Sequence, residues 1–114
     1  MIAGTGIDIV NIKRIKKSVS KYGEKFIQKV LSDKEIEEMP KVKKEEFIAG
    51  RFAAKEALVK ACGIFLNFNA VTILNDSNGK PSVVKIPVEI KNKKIHLSIS
   101  HDSDYAAAFV IIEK

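Results

Sequence analysis

The chain has 114 residues, a formal net charge of +6 with a pI near 9.4, 46% hydrophobic and 30% charged residues, and one cysteine. With no Pro-, Gly- or Ser-rich linker it is expected to form a single soluble globular domain, 1–114. No apolar run approaches the ~20 residues needed to span a bilayer, MIAGTGIDIV lacks the basic start of a secretory leader, and a lone Cys62 excludes an internal disulfide or a cysteine metal knuckle. A cytoplasmic protein is therefore expected, and its excess positive charge calls for an acidic partner or substrate.

Residues 2–10 are apolar except for Thr5 and Asp8, and predict a strand. Asn11 can then cap a helix, and Ile12, Ile15, Val19, Phe26 and Val30 form an apolar stripe over one or two helical segments broken near Gly23. Ser32 opens a short acidic helix with a capping box to Glu35, and Pro40 stops it. A long helix is predicted from Lys44 to Cys62, ended by Gly63, with Cys62 as a small buried hydrophobe. Four strands follow, at 70–74, 82–86, 95–100 and 105–112; NDSNGKP (75–81) reads as a hairpin turn. The fold class is α+β: an N-terminal strand, central helices including a long buried one, and C-terminal antiparallel strands.

The long helix contains RFAAKEALVKA, in which no polar face separates from the apolar one. Phe47, Ile48, Phe52, Leu58, Val59 and Cys62 fall on one half and alanines with Gly50 mostly on the other, the pattern of a helix packed on two sides. Its alanines let a ligand or another backbone approach closely. Glu56 and Lys60 share one face, and Arg51 and Lys55 another. A plain surface pair between Glu56 and Lys60, worth ~0.3–0.5 kcal/mol, is one reading; a charged site is the other. Arg51 is one of two arginines against eighteen lysines, and its planar fork suits phosphate or carboxylate. Asp8 is either a residue at a helix entry or a hard oxygen ligand for Mg²⁺, with Glu56 as the natural second carboxylate. Between 12 and 30, seven basic residues face only Glu24. No aromatic residues are interleaved with these lysines, which favours an acidic protein over nucleic acid. His101 at a strand end, and His96 in the strand, are undetermined by themselves.

Together, GTGIDIVNIKRI (4–15), FIAGRFAAKEALVKA (47–61), and NGKP followed by HLSISHD (78–102) resemble the bacterial holo-[acyl-carrier-protein] synthases, the small 4′-phosphopantetheinyl transferases. The resemblance implies that family's fold and the Mg²⁺-dependent transfer of 4′-phosphopantetheine from coenzyme A to a serine of apo acyl carrier protein in fatty acid biosynthesis. Adenosine 3′,5′-bisphosphate leaves. It further implies a homotrimer with active sites between subunits, and neither nucleic acid nor membrane as a partner. By motif match, Asp8 and Glu56 would hold the metal and Lys60 the pyrophosphate. Arg51, Ser100 and His101 would line the coenzyme A site, with Gly79, Lys80 and Pro81 near its nucleotide end. Arg14, with Lys13, Lys17 and Lys21, would meet the carrier protein. CGIFLNFNAVTILND (62–76) departs from the family pattern, so contacts made there by relatives do not carry over. Glu56 or a metal-bound water is the general base, and Lys55 is either substrate-facing or solvated. The competing reading is a noncatalytic basic module that docks acidic proteins or RNA.

Overall fold

The computed structural model describes residues 1–114. Strand β1 (Ile2–Asn11) runs directly into helix α1 (Ile12–Tyr22), followed by α2 (Glu24–Val30), α3 (Asp33–Glu38) and α4 (Lys44–Cys62). Strands β2 (Thr72–Asn75) and β3 (Pro81–Lys85) form a hairpin, and β4 (Lys94–His101) and β5 (Tyr105–Glu113) complete the fold. β1, β5 and β4 make an antiparallel sheet in the order β1-β5-β4, apart from the β2-β3 pair. The α+β expectation is met.

Local chemistry accounts for the boundaries. The Asn11 side chain accepts the Lys13 amide at 2.9 Å and starts α1. Gly23, at φ +60°, parts α1 from α2, and Gly63, at φ +73°, ends α4 in the left-handed region. Both bonds of the Ser32/Glu35 capping box form, and α3 stops one residue short of the extended Met39 that precedes Pro40. β2 begins at Thr72, two residues later than predicted, because Phe68–Ala70 closes a 3-10 turn. Cys62 is half-buried against the core rather than fully buried.

Helix α4 is covered on both sides. Ala49, Ala53, Ala54 and Ala57 are buried, and the backbone of β1 rests directly on that of α4. A methyl group at Gly6 would stand 1.9 Å from the Ala57 carbonyl oxygen, and one at Gly4 2.1 Å from that of Ala61, so both positions require glycine. The larger residues on the other half pack on helices and hairpin, with Phe52 edge-to-face on Phe68 at 5.6 Å. Strand alternation sends Val10, Ala106, Ala108, Val110 and Ile112 into the core. The opposite face of the sheet is open, with Ile7 66%, Ile9 65% and Phe109 43% exposed, Ile7 and Phe109 directly opposite one another. No helix is long and apolar enough to cross a membrane.

Candidate active site

Asp8 shares the inner face of β1 with Gly6 and Val10, whereas Ile7 and Ile9 point outward. The glycine contact therefore brings its carboxylate to α4. Lys60 Nζ donates to Asp8 Oδ1 at 3.2 Å and to the Ile7 carbonyl at 3.0 Å. Lys60 thus pairs with Asp8, and no Glu56–Lys60 surface pair forms. Asp8 and Glu56, 48 residues apart in sequence, line one cleft of about 310 Å³ with Arg14, Ser18, Phe26 and Phe52. They are its only carboxylates, and no group of three metal-binding side chains exists elsewhere. Two hard oxygen donors suit a divalent cation that completes its shell with phosphate oxygens and water.

Beside this cleft α1 presents a cationic surface. Ile12 and Ile15 anchor it in the core, leaving Lys13, Arg14, Lys17 and Lys21 exposed. Lys13, Lys17 and Lys21 recur every four residues, along one line of the helix. Arg14 turns toward the cleft and joins the two regions.

Arg51 and His101 meet in a different cleft, of about 270 Å³, with Lys43, Glu46 and Asn75. Arg51 is buried. Its Nε donates to the Ile73 carbonyl at 3.2 Å and its Nη2 to Asn75 Oδ1 at 3.3 Å, while the guanidinium lies over Phe47 at 4.4 Å. Burial lowers the Arg51 pKa from its ordinary value, and the Glu35 carboxylate opposes that shift. His101 Nδ1 is 3.5 Å from Glu46 Oε1. Ser100 sits one residue earlier, on the outer face of β4, and does not line this cleft. Gly79, at φ +81°, and Lys80 occupy the exposed hairpin turn, whose shape is set by Asp76 Oδ1 accepting the amides of Asn78 and Lys80. Pro81 pairs with Asn75, which places that end of the turn beside the Arg51 cleft. His96 bonds Glu113 at 2.7 Å and lowers its carboxyl pKa.

Lys55 is neither substrate-facing nor solvated. Its ammonium, fully buried, donates to Glu35 Oε1 at 2.5 Å, to the Val30 carbonyl at 2.7 Å and to the Phe68 carbonyl at 2.8 Å. Desolvation brings its pKa down to about 8, against the pull of Glu35. Glu35 was legible only as a local cap. Its carboxylate also accepts the Ile73 amide at 3.0 Å and stands 3.8 Å from Arg51 Nε. A charge in a helix without a polar face was the available signal for Lys55.

The model of the 4′-phosphopantetheinyl transferase superfamily matches residues 4–110. The holo-[acyl-carrier-protein] synthase of Geobacillus sp. (strain WCH70) is 48% identical over 100% of this chain and 98% of its own. Among solved structures, the holo-[acyl-carrier-protein] synthase of Neisseria meningitidis superposes with a TM-score of 0.91 at 37% identity, covering 100% of both chains. That of Bacillus anthracis str. Ames, in complex with CoA (3′,5′-ADP), gives 0.84 at 36% identity, covering 98% of this chain and 96% of the other. A family match over nearly the whole length, on a chain whose Asp8 and Glu56 converge in one cleft, fixes the assignment: the chain belongs to the 4′-phosphopantetheinyl transferase superfamily.

Proposed function

We propose that this chain transfers the 4′-phosphopantetheine group of coenzyme A to a serine of apo acyl carrier protein in the cytoplasm, in a Mg²⁺-dependent reaction at the Asp8–Glu56–Lys60 cleft. Two carboxylates on one opening, one of them bonded by the Lys60 ammonium, carry this reading. The donor set fits Mg²⁺, because the ion ordinarily takes one or two carboxylates and leaves its remaining positions to phosphate and water. When bound by Asp8 and Glu56, it supplies charge neutralisation at the pyrophosphate.

The serine oxygen forms a bond to the phosphorus bearing pantetheine, and the bridging bond of the pyrophosphate breaks. The leaving adenosine 3′,5′-bisphosphate takes the electron pair, so negative charge grows on its side of the cleft. Lys60 has three N–H donors and spends two on Asp8 and Ile7, which leaves one for a phosphate oxygen. Arg14 is the cation of the cleft lining itself. Within the lining Glu56 is the acceptor for the serine proton, since Asp8 Oδ1 already accepts from Lys60. Lys13, Lys17 and Lys21 attract the acidic carrier and bring its serine to the cleft mouth.

Arg51 and Glu56 point about 140° apart around α4, since five residues turn a helix by ~500°. Each faces its own cleft. Coenzyme A bound by Arg51 and His101 of one subunit and by Asp8, Glu56 and Lys60 of another would bridge both clefts, with Gly79, Lys80 and Pro81 near its nucleotide end and Ser100 brought in across the sheet face. The open apolar face around Ile7, Ile9 and Phe109 supports such an assembly, which we propose to be a homotrimer.

The test is to incubate the protein with coenzyme A, Mg²⁺ and apo acyl carrier protein and weigh the carrier by mass spectrometry. Addition of one phosphopantetheine, lost on chelation of the metal, is the expected result. An unchanged mass across a panel of carriers would overturn the proposal. Light scattering after gel filtration reads the subunit number.

A further inference from the structure

Arg51 is held by a carboxylate that touches neither proposed substrate. Glu35, buried on α3, accepts the Ile73 amide through Oε2, and Arg51 Nε donates to the carbonyl of that same residue. Strand β2 is thereby held through both backbone groups of one residue, on one edge, by α3 and by α4. Lys55 neutralises the other oxygen of the Glu35 carboxylate, and the Ser32 amide caps it at 2.8 Å. At its outer end the guanidinium donates to Asn75 Oδ1 and stacks on Phe47. Arg51 therefore has one Nε contact facing the core and one Nη2 contact facing the cleft. Of its five N–H donors these bonds commit two, and the rest of the fork belongs to a residue that lines the cleft with Lys43 and His101. A fork fixed at two points loses less freedom on meeting a phosphate than a mobile one.

We propose that Glu35 and Asn75 are positioning residues for the transfer reaction, holding the Arg51 guanidinium in the orientation in which it receives coenzyme A. Glu35 acts through Ile73 and through its charge on Arg51; Asn75 acts by a direct hydrogen bond. The inference rests on the reading that Arg51 contacts coenzyme A. Neither residue touches the reacting atoms, so binding of coenzyme A should suffer while the chemical step is spared.

Steady-state kinetics of Glu35→Gln, Asn75→Ala and Arg51→Lys, alone and with each of the first two combined with the third, test it. Glu35→Gln and Asn75→Ala are expected to raise KM for coenzyme A about tenfold with kcat within about twofold, as loss of a positioned charged hydrogen bond does. In the Arg51→Lys background, where KM is already raised, neither should raise it further. An unchanged KM in Arg51→Lys would sink the assignment of Arg51, and the positioning role with it. A raised KM in Arg51→Lys with unchanged values in the other two would leave that assignment standing and overturn the positioning role alone. A fall in kcat at constant KM, or additive effects in the double variants, would also overturn it. Should Glu35→Gln fail to fold, Asn75→Ala decides the matter, since Asn75 is exposed.

Discussion

Lys55 and Lys60 stand little more than one turn apart on α4, and each holds a carboxylate from a distant part of the chain. The Lys55–Glu35 pair has both side chains 0% exposed, whereas Lys60 is 54% and Asp8 16% exposed. All three donors of Lys55 are spent on protein acceptors, so it has nothing to offer a ligand. Lys60 keeps a donor free, and Asp8 borders a cleft open to water. The same two functional groups thus serve as a closed structural joint in one place and as an open valence in the other. What separates them is saturation and access, rather than residue type.

The largest expected effect is on the open pair's cleft. Asp8→Ala and Glu56→Ala should each slow transfer by about 100-fold or more while leaving the urea midpoint close to that of the wild type. A rate within twofold in either would break the contrast. Next comes the closed pair: Lys55→Met strands the Glu35 carboxylate and should cost about 3–5 kcal/mol in urea unfolding, whereas Lys60→Met should cost less than about 1 kcal/mol. Equal losses would mean that burial does not distinguish the two lysines. Lys17 represents a third arrangement, exposed and outside both pairs. Lys17→Glu should weaken carrier-protein affinity by about tenfold and flatten its salt dependence, with KM for coenzyme A unchanged.

The smallest expected effect is a pH dependence. Desolvation sets the Lys55 pKa at about 8, below the 10.5 of an ordinary lysine. The unfolded chain therefore binds more protons than the folded one between these values, and the Lys55 contribution to stability rises with pH across that window. Relative to Lys55→Met, the wild type should gain stability in urea from pH 7.5 to about 9.5, a range chosen to straddle the folded value. A relative loss would show that pairing with Glu35 outweighs burial.

Sequence reading succeeded where a signal was local. Gly63 marked the end of α4, Ser32 and Glu35 the start of α3, Asn11 the start of α1, and Asn78–Gly79 the β2-β3 turn. Each is a constraint that a few consecutive residues impose on their own backbone. The order β1-β5-β4 was not legible, because pairing of the first strand with the last depends on contacts about a hundred residues apart. Asp8, Glu56 and Lys60 were picked out as candidates; Asp8 and Glu56 line one cleft, and Lys60 adjoins it through its bond to Asp8. The second role of Glu35 was hidden because its capping bond already explained it, while its bonds to Lys55 and Ile73 span 20 and 38 residues. Ser100 and His101, grouped by motif, part to opposite faces of β4, as the alternation of that strand in the sequence already requires.

At Gly4 and Gly6 no side chain separates β1 from α4. The spacing of Asp8 from Glu56 is therefore gauged by main chain against main chain, two parts whose dimensions no substitution elsewhere in the interior alters. Hydrophobic residues could drift over generations, swapping leucine for isoleucine, without detuning the cleft. The same gauge has no slack along its length. One residue inserted between Gly6 and Asp8 would turn the carboxylate out to the side of Ile7 and Ile9 and lift Val10 out of the core with it, so the cleft and the core are set by one and the same register.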